Sequence, residues 1–264
     1  MTSKLLFFDI DGTLITEGPG LMPESTKLAL TKARDNGHLL FINTGRTKNS
    51  LPTKISDLDF DGYVCGCGTN IFLHNKELFS QKLPNKFCKE LVYKLREYKV
   101  PVLYEASHAV YFDHTLPNAD KWITSAEKLF QIKGQNIENL LQSDTLAYDK
   151  ILAILTPTPE NENLKSYLSD HFECIDRSNN MYEIIQKGCS KATGIDFLCE
   201  YLQKSKNDCY VFGDSENDRS MLEAVPNSVA MGNAVESIKN ICSYVTSPID
   251  EDGIYNAMEH FHLI

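Results

Sequence analysis

Two acidic clusters, each directly after an apolar segment, are the residues of this chain best suited to chemistry. The first has the sequence DIDGT at positions 9–13 and follows the apolar residues 5–8. The second has the sequence GDSEND at positions 213–218 and follows the apolar residues 209–212. If both apolar segments are strands of one open parallel sheet, both clusters lie at the sheet edge where ligands bind.

Four carboxylates of these clusters would lie close together if the two strands are neighbours: Asp9, Asp11, Asp214 and Asp218. Two like charges about 4 Å apart repel each other by about 4 kcal/mol at an effective dielectric constant of about 20. A hard cation that prefers oxygen ligands, such as Mg²⁺, removes that repulsion. The same cation would allow a chain with a formal net charge of −10 to bind a phosphate dianion.

Each cluster taken alone also has a structural interpretation. Asp-Gly is a common turn pair, in which Gly12 permits a sharp turn and Thr13 hydrogen-bonds within it. Asp218 could stabilise the dipole at the start of a helix. Two such clusters from opposite ends of the chain are harder to explain as turns, so we favour one shared site.

Two further motifs supply groups that phosphate chemistry requires. Residues 43–46 (NTGR) follow the apolar residues 39–42, so Thr44 offers a hydroxyl donor at the same sheet edge. Residues 187–191 (KGCSK) lie where the chain would return to this sheet, and a lysine there neutralises charge on a phosphoryl group. Alone, the first is an ordinary turn and the second a pair of solvated lysines, but the four motifs together indicate phosphate chemistry.

The segments that carry these motifs alternate between strand and helix patterns. Strands are predicted at 4–8, 39–42, 62–67, 209–212 and 228–231. Helices are predicted at 24–36, 192–203 and 218–225. Because short connections between alternating strands and helices form βαβ units, we predict an α/β fold with a doubly wound, mostly parallel sheet.

The middle of the chain has a different pattern, with hairpin strands among the helices. Strands are predicted at 101–106, 109–113, 151–155, 172–175 and 181–185. Helices are predicted at 85–98, 118–130 and 159–170. This pattern favours a partly antiparallel α+β unit. We therefore predict a core made of residues 1–81 and 188–264, interrupted by an inserted domain at 82–187.

Composition excludes several classes of protein. The 264 residues include 42% hydrophobic and 23% charged residues, which is typical of a globular chain. The 36 acidic residues outnumber the 26 Lys and Arg residues, so nucleic acid is a poor partner. The sequence contains no run of about 18 apolar residues, so no membrane span is predicted. The first apolar stretch, residues 5–8, is too short to resemble the core of a signal peptide. We expect a cytoplasmic protein whose eight cysteines are free thiols.

The four motifs, in order, resemble those of haloacid dehalogenase-like (HAD) phosphatases. The matching positions are 9–13, 43–46, Lys191 and 213–218. The insert is similar in length and element order to the cap of the Cof-type branch. The tail is also similar to that branch, at 231–234 (MGNA) and 250–254 (DEDGI). The resemblance implies a Rossmann-like HAD core with an inserted α+β cap domain.

The resemblance also implies catalytic roles. Asp9 would attack phosphorus and become an aspartyl-phosphate. Asp11 would protonate the leaving oxygen and then act as the base for the hydrolytic water. Thr44 would hold the phosphoryl group, and Lys191 would balance the charge on the nucleophile and the phosphoryl oxygens.

Binding roles follow from the same resemblance. Mg²⁺ would be bound by Asp9, by the main-chain carbonyl of Asp11 and by Asp214. Asp218 completes the implied metal set, and together with Asn217 it would orient the site from beside it. The implied phosphate-binding set is Asp11, Gly12, Thr44, Gly45, Arg46, Lys191 and Asn217. From the insert, Tyr104, Glu105 and His108 on the first hairpin are expected to contact the leaving group.

The expected function is that of a Mg²⁺-dependent phosphatase acting on small phosphate monoesters, sugar phosphates first, through an aspartyl-phosphate. One alternative is a phosphomutase or phosphotransferase on the same core. Another is a non-catalytic protein that binds a phosphorylated ligand. The expected partner is a small phosphorylated metabolite, with no nucleic acid and no membrane, and we predict no particular oligomeric state.

Overall fold

The computed structural model describes residues 2–16, 18, 20–177 and 179–264, which form fourteen strands and ten α-helices. The strands are β1 (Leu5–Phe8), β2 (Leu39–Asn43), β3 (Gly62–Cys65), β4 (Asn70–Leu73), β5 (Lys76–Ser80), β6 (Val102–Glu105), β7 (Val110–Phe112), β8 (Gln135–Asn136), β9 (Lys150–Ile154), β10 (Phe172–Asp176), β11 (Met181–Gln186), β12 (Cys209–Gly213), β13 (Asn227–Ala230) and β14 (Tyr244–Val245). The helices are α1 (Glu24–Asp35), α2 (Thr53–Ser56), α3 (Asn85–Glu97), α4 (Ala119–Phe130), α5 (Glu138–Leu141), α6 (Pro159–His171), α7 (Lys191–Tyr201), α8 (Arg219–Ala224), α9 (Glu236–Lys239) and α10 (Gly253–His260).

The chain divides into two compact units. The first consists of the described residues of Met1–Gly45, Leu58–Leu78 and Ser190–Ile264. Its sheet has the strand order β14-β13-β12-β1-β2-β3-β4-β5, and the neighbours from β14 to β3 are parallel. The predicted α/β class with a mostly parallel, doubly wound sheet is therefore confirmed.

The position of β1 matters most for function. It lies between β12 and β2, so the strand order changes direction there, as it does at the ligand-binding edge of open α/β sheets. All four residues of β1 are fully buried, which is typical of a central strand covered on both faces. Helix α1 packs against α10, and α7 packs against α8.

Strands β4 and β5 were not predicted from the sequence. They are joined by His74 and Asn75, which both have positive φ values, 47° and 63°. A two-residue connection of this backbone conformation is typical of hairpins, but Asn-Gly is its usual signal and is missing here. Strand β5 is also partly exposed and polar at its start, so it lacks the apolar pattern that marked the central strands.

The second unit consists of Arg46–Asp57 and Phe79–Cys189. Its sheet has the order β10-β11-β9-β6-β7-β8 and is antiparallel except for the pair β7 and β8. Helices α3 and α6 contribute to one apolar cluster and α4 to another. This division differs from the predicted insert (82–187) at residues 46–57, 79–81 and 188–189, and the role of this unit as a cap stays a prediction.

Two general expectations concern cysteines and membranes. All eight cysteines are free thiols, as predicted. Across the described ranges, no helix combines the length and apolar character that crossing a bilayer requires.

Candidate active site

The two acidic clusters meet where β1 and β12 end. These strands pair in parallel with Phe8 opposite Phe212, and the amide of Asp9 donates to the Phe212 carbonyl at 3.0 Å. Carboxylate oxygens of Asp9, Asp214 and Asp218 lie within 4.8 Å of one another. The structure therefore brings together three of the four carboxylates predicted for the metal.

Asp218 is fully buried, and both of its oxygens already have partners. Oδ2 accepts from the amides of Asp214 (2.9 Å) and Ser215 (3.0 Å), and Oδ1 accepts from Lys191 Nζ. The buried Asn217 beside it accepts a hydrogen bond from the Ser215 hydroxyl at 2.8 Å. Asp218 therefore holds the loop that carries Asp214 in place.

Lys191 lies between two of these carboxylates. Its Nζ is 2.5 Å from Asp9 Oδ1 and also donates to Asp218, and the side chain is fully buried. Burial alone lowers the pKa of Lys191, but the charges of Asp218 and Asp9 raise it above its usual value. The ammonium group therefore stays charged and neutralises part of the acidic cluster.

The start of α7 positions this lysine. Lys191 is the first residue of the helix, and Ser190 is its N-cap. The Thr193 amide donates to the Ser190 hydroxyl at 3.1 Å, and the Ser190 amide donates to the Thr193 hydroxyl at 2.9 Å. This reciprocal capping box fixes the helix start and hence the place from which the lysine extends.

The loop after β1 also shapes the site. Gly12 has a φ of +86°, and a Cβ atom there would lie 2.4 Å from Asp214 Oδ2, so a side chain is excluded on both counts. The Thr13 hydroxyl donates to Asp214 Oδ1 at 3.1 Å. The Thr13 hydroxyl thus links the two acidic clusters, because β12 lies beside β1.

Asp11 and Thr44 flank this cluster in different ways. Asp11 is half-buried, and its charge contributes to raising the pKa of Asp9. Thr44 is buried directly after β2, and its amide donates to the Val64 carbonyl at 2.9 Å. Thr44 is thus fixed at the carboxyl end of a strand next to β1, where the sequence predicted it.

The other residues of the second motif lie at the limit of the first unit. Gly45 is the last residue of that unit's first segment, and Arg46 is the first residue of the second unit. The Arg46 guanidinium donates from Nη1 to the carbonyls of Ser50 at 3.1 Å and Phe130 at 3.0 Å. A phosphate contact by either residue stays a prediction.

The three hairpin residues of the second unit have contacts of their own. Tyr104 is 1% exposed within the apolar cluster and is therefore a core residue. Glu105 is buried and forms an ion pair with Lys150 at 3.0 Å. His108 Nε2 lies 3.2 Å from the Tyr111 hydroxyl. The expectation of a leaving-group contact is thus weakest for Tyr104.

Asn233 joins two loops of the first unit, and the sequence predicted no role for it. Asn233 donates from Nδ2 to the Gly12 carbonyl at 2.8 Å and accepts at Oδ1 from the Ile249 amide at 2.9 Å. The resemblance included residues 231–234 but implied no role for them. A local pattern cannot predict this contact, because Asn233 and Gly12 lie 221 positions apart.

Burial disfavours the ionised forms of Asp9 and Asp214 in the acidic cluster. Burial is the main reason why the pKa of Asp9 rises to about 7; Lys191 lowers it, and the charges of Asp218 and Asp11 raise it. Burial likewise raises the pKa of Asp214 well above its usual value, and Asp218 and Asp9 add to this rise. A cation beside these oxygens would reverse both effects.

The donor set fits a hard divalent cation. The three carboxylates that meet here carry three negative charges when ionised, and the ammonium group of Lys191 cancels one of them, which leaves two. All the ligand atoms on offer are oxygens, which suits Mg²⁺ better than a soft metal. Asp9 and Asp214 are the best direct ligands, because both oxygens of Asp218 are occupied.

The raised pKa values of Asp9 and Asp214 predict how Mg²⁺ stabilises the protein at different pH values. The folded pKa of Asp9, about 7, exceeds its usual 3.8, so its stabilising contribution is complete below pH 3.8 and is lost as the pH rises through 7. Because Mg²⁺ binds ionised carboxylates, it should raise the Tm more at pH 8 than at pH 5.5. Thermal melts with and without Mg²⁺ at both pH values measure this difference.

The matched variant for this experiment is Asp214→Asn, which lacks one ligand. Its Tm should respond to Mg²⁺ much less than that of the wild type at pH 8. An equal Mg²⁺ effect at both pH values in the wild type would contradict the prediction.

Comparison with known proteins identifies similar chains. A family model described as haloacid dehalogenase-like hydrolase matches residues 6–258. The Bacillus subtilis (strain 168) protein YkrA, provisionally named a phosphatase, is 31% identical over 269 residues, with 100% of both chains covered. The 5-amino-6-(5-phospho-D-ribitylamino)uracil phosphatase YitU of the same organism is 28% identical over 274 residues, with 97% of each chain covered. The solved structure of the HAD subclass IIB sugar phosphatase BT4131 is 29% identical, with a TM-score of 0.84, and the match covers 99% of this chain and 100% of that one.

Proposed function

This chain belongs to the haloacid dehalogenase-like hydrolase family, and we propose that it is a Mg²⁺-dependent phosphatase of small phosphate monoesters that works through an aspartyl-phosphate at Asp9. One observation carries the proposal. Three groups meet at the carboxyl ends of the central strands: the carboxylates of Asp9 and Asp214 and the ammonium group of Lys191. Asp9 would be the nucleophile, Asp214 would bind the cation, and Lys191 supplies a positive charge. Phosphoryl transfer needs little more than such positioning and charge neutralisation.

The metal would be held by the carboxylates of Asp9 and Asp214 and the main-chain carbonyl of Asp11. Asp218 would orient Asp214 through its amide rather than bind the ion itself. When bound, the ion would supply charge neutralisation between the carboxylates and the phosphoryl oxygens.

The protein side chains would divide the chemical work. Lys191 holds Asp9 Oδ1 at 2.5 Å and favours its ionised form, so that the carboxylate can attack phosphorus. The bond from phosphorus to the leaving oxygen breaks as Asp11 donates a proton to that oxygen. Asp11 then takes a proton from the water that hydrolyses the aspartyl-phosphate, and phosphate leaves with Asp9 restored. Thr44 would bind the phosphoryl group through both steps.

Two relatives support a narrower substrate class. One is named as a sugar phosphatase, and the other as a phosphatase of a phosphoribitylamino compound. Both substrates carry phosphate on a polyhydroxylated carbon chain. We therefore expect a sugar or sugar-alcohol phosphate as the substrate.

The test is release of inorganic phosphate from an aryl phosphate and then from a panel of sugar phosphates, with Mg²⁺ or with a chelator. Metal ions contribute several kcal/mol to such transition states, so chelation should lower kcat/KM by about 100-fold or more, and excess Mg²⁺ should restore it. Phosphate that moves to another hydroxyl instead of being released would identify a phosphotransferase. Saturable binding of the panel without turnover would identify a non-catalytic binding protein.

A further inference from the structure

Asn43 is a buried polar residue that the proposed mechanism does not use. It is the last residue of β2 and directly precedes Thr44. Its side chain is fully buried, and Nδ2 donates to the main-chain carbonyl of Lys191 at 3.0 Å. This hydrogen bond joins residues 148 positions apart, so it links two motifs that the chain brings together only on folding.

The other side of the same carboxamide is unsatisfied. Asn43 Oδ1 is buried and has no hydrogen-bond partner among the residues that the structure describes. A buried polar atom without a partner costs about 1–3 kcal/mol, so an apolar residue of the same shape would suit the folding of this position better. Stability alone therefore does not explain an asparagine here.

The geometry of the neighbouring residues explains what the hydrogen bond does. Thr44 is held to β3 by its amide, which donates to the Val64 carbonyl at 2.9 Å. Lys191 begins α7, so its position depends on where the first turn of that helix lies. The Asn43 side chain connects these two parts, because it extends from the residue next to Thr44 to the backbone of Lys191.

We propose that Asn43 is a positioning residue that sets the distance between Thr44 and Lys191, the two residues that hold the phosphoryl group. The proposal rests on the proposed function for its kinetic part. Asn43 makes no contact with the reacting atoms and acts through the backbone of Lys191. Without it, the helix start can shift relative to β2, and a misplacement of about 1 Å can lower the rate by up to about 100-fold.

The decisive variant is Asn43→Leu, which keeps the shape of the side chain and removes both polar atoms. We expect kcat to fall by about 10- to 100-fold, with KM changed by less than about threefold, because alignment is lost while the charges that bind substrate remain. The Tm should stay the same or rise, because the unpartnered Oδ1 is gone. A loss of activity without a loss of stability separates a positioning role from a structural one.

The matched control is Asn227→Leu. Asn227 Nδ2 donates to the carbonyls of Asn207 and Cys209 near the start of β12, at the opposite end of the sheet from the acidic cluster. This variant should lower the Tm and leave kcat within about twofold of the wild type. Asn43→Ala is a second variant in case leucine overfills the position, and it should lose kcat in the same way.

A binding readout keeps this inference separate from the proposed function. Orthovanadate, a mimic of the phosphoryl group in transfer, should bind the Mg²⁺-loaded Asn43→Leu variant about tenfold more weakly than the wild type by calorimetry. If the wild type binds vanadate but hydrolyses nothing, the proposed function fails while the affinity still tests Asn43. Unchanged kcat or unchanged vanadate affinity in both Asn43 variants would overturn the inference, and a wild type with neither turnover nor vanadate binding would overturn both proposals.

Discussion

The Asp9→Asn variant should lose about 10⁴-fold or more of the phosphatase activity and keep its fold. A carboxamide oxygen is a poor nucleophile, so the aspartyl-phosphate cannot form. The fold should survive because burial already favours a neutral group at this position, raising the pKa of Asp9 to about 7. Lys191 also keeps its second partner, Asp218.

Initial rates with the best substrate of the panel measure this loss. Asp208→Asn is the matched control, because Asp208 pairs with Lys4 at 2.6 Å just before β12 begins, away from the acidic cluster. The control should keep nearly full activity. Acid quenching during turnover should trap a phosphorylated wild type and no phosphorylated Asp9→Asn protein, and an Asp9→Asn rate within tenfold of the wild type would rule out this nucleophile.

Lys191→Met should have the largest combined effect on activity and stability. The ammonium is the cation between two buried carboxylates, Asp9 and Asp218. Removing one partner of a buried ion pair typically costs about 3–5 kcal/mol, because the remaining charge has no counterion. Activity should fall by about 10³-fold, since the charge that develops on the phosphoryl group loses a fixed donor.

Denaturant unfolding without Mg²⁺ measures the stability part of this prediction. The loss in the free energy of unfolding should be smaller at pH 5 than at pH 8, because burial raises the pKa of Asp9 to about 7 and Asp9 is therefore neutral at the lower pH. Lys206→Met is the control: Lys206 pairs with Asp196 at an exposed site, and its loss should change stability by less than about 0.5 kcal/mol. A Lys191→Met protein as stable as the wild type at pH 8 would show that the buried pairs are not needed.

The main elements of the first unit could be predicted from local patterns. An apolar segment followed by Asp9 or Asp214 predicts both a buried strand and the edge at which it ends. Thr44 was predicted in the same way, since it follows β2 directly, and Asp11 lies two residues after Asp9 in the same cluster. β4 and β5 were missed because their pattern is short and partly polar.

The contacts that make the site work were not predictable in this way. No local pattern indicates that the Thr13 hydroxyl donates to Asp214, because the two residues lie 201 positions apart. Asp218 was expected near the metal, and its two oxygens turn out to be occupied by amides and by Lys191. Tyr104 was expected at a hairpin tip open to a ligand and is instead enclosed in an apolar cluster.

The chemistry proposed for the site could be inferred from the sequence, because residue types at strand ends are a local property and parallel strands have their carboxyl ends on the same side of a sheet. Which atoms meet depends on the order in which the strands pair. β1 lies between β12 and β2, so residues more than a hundred positions apart become neighbours, as Asn43 and Lys191 do. Hydrophobic periodicity records which face of an element is buried, but not the order in which strands pair, and hydrogen-bond partners depend on that order.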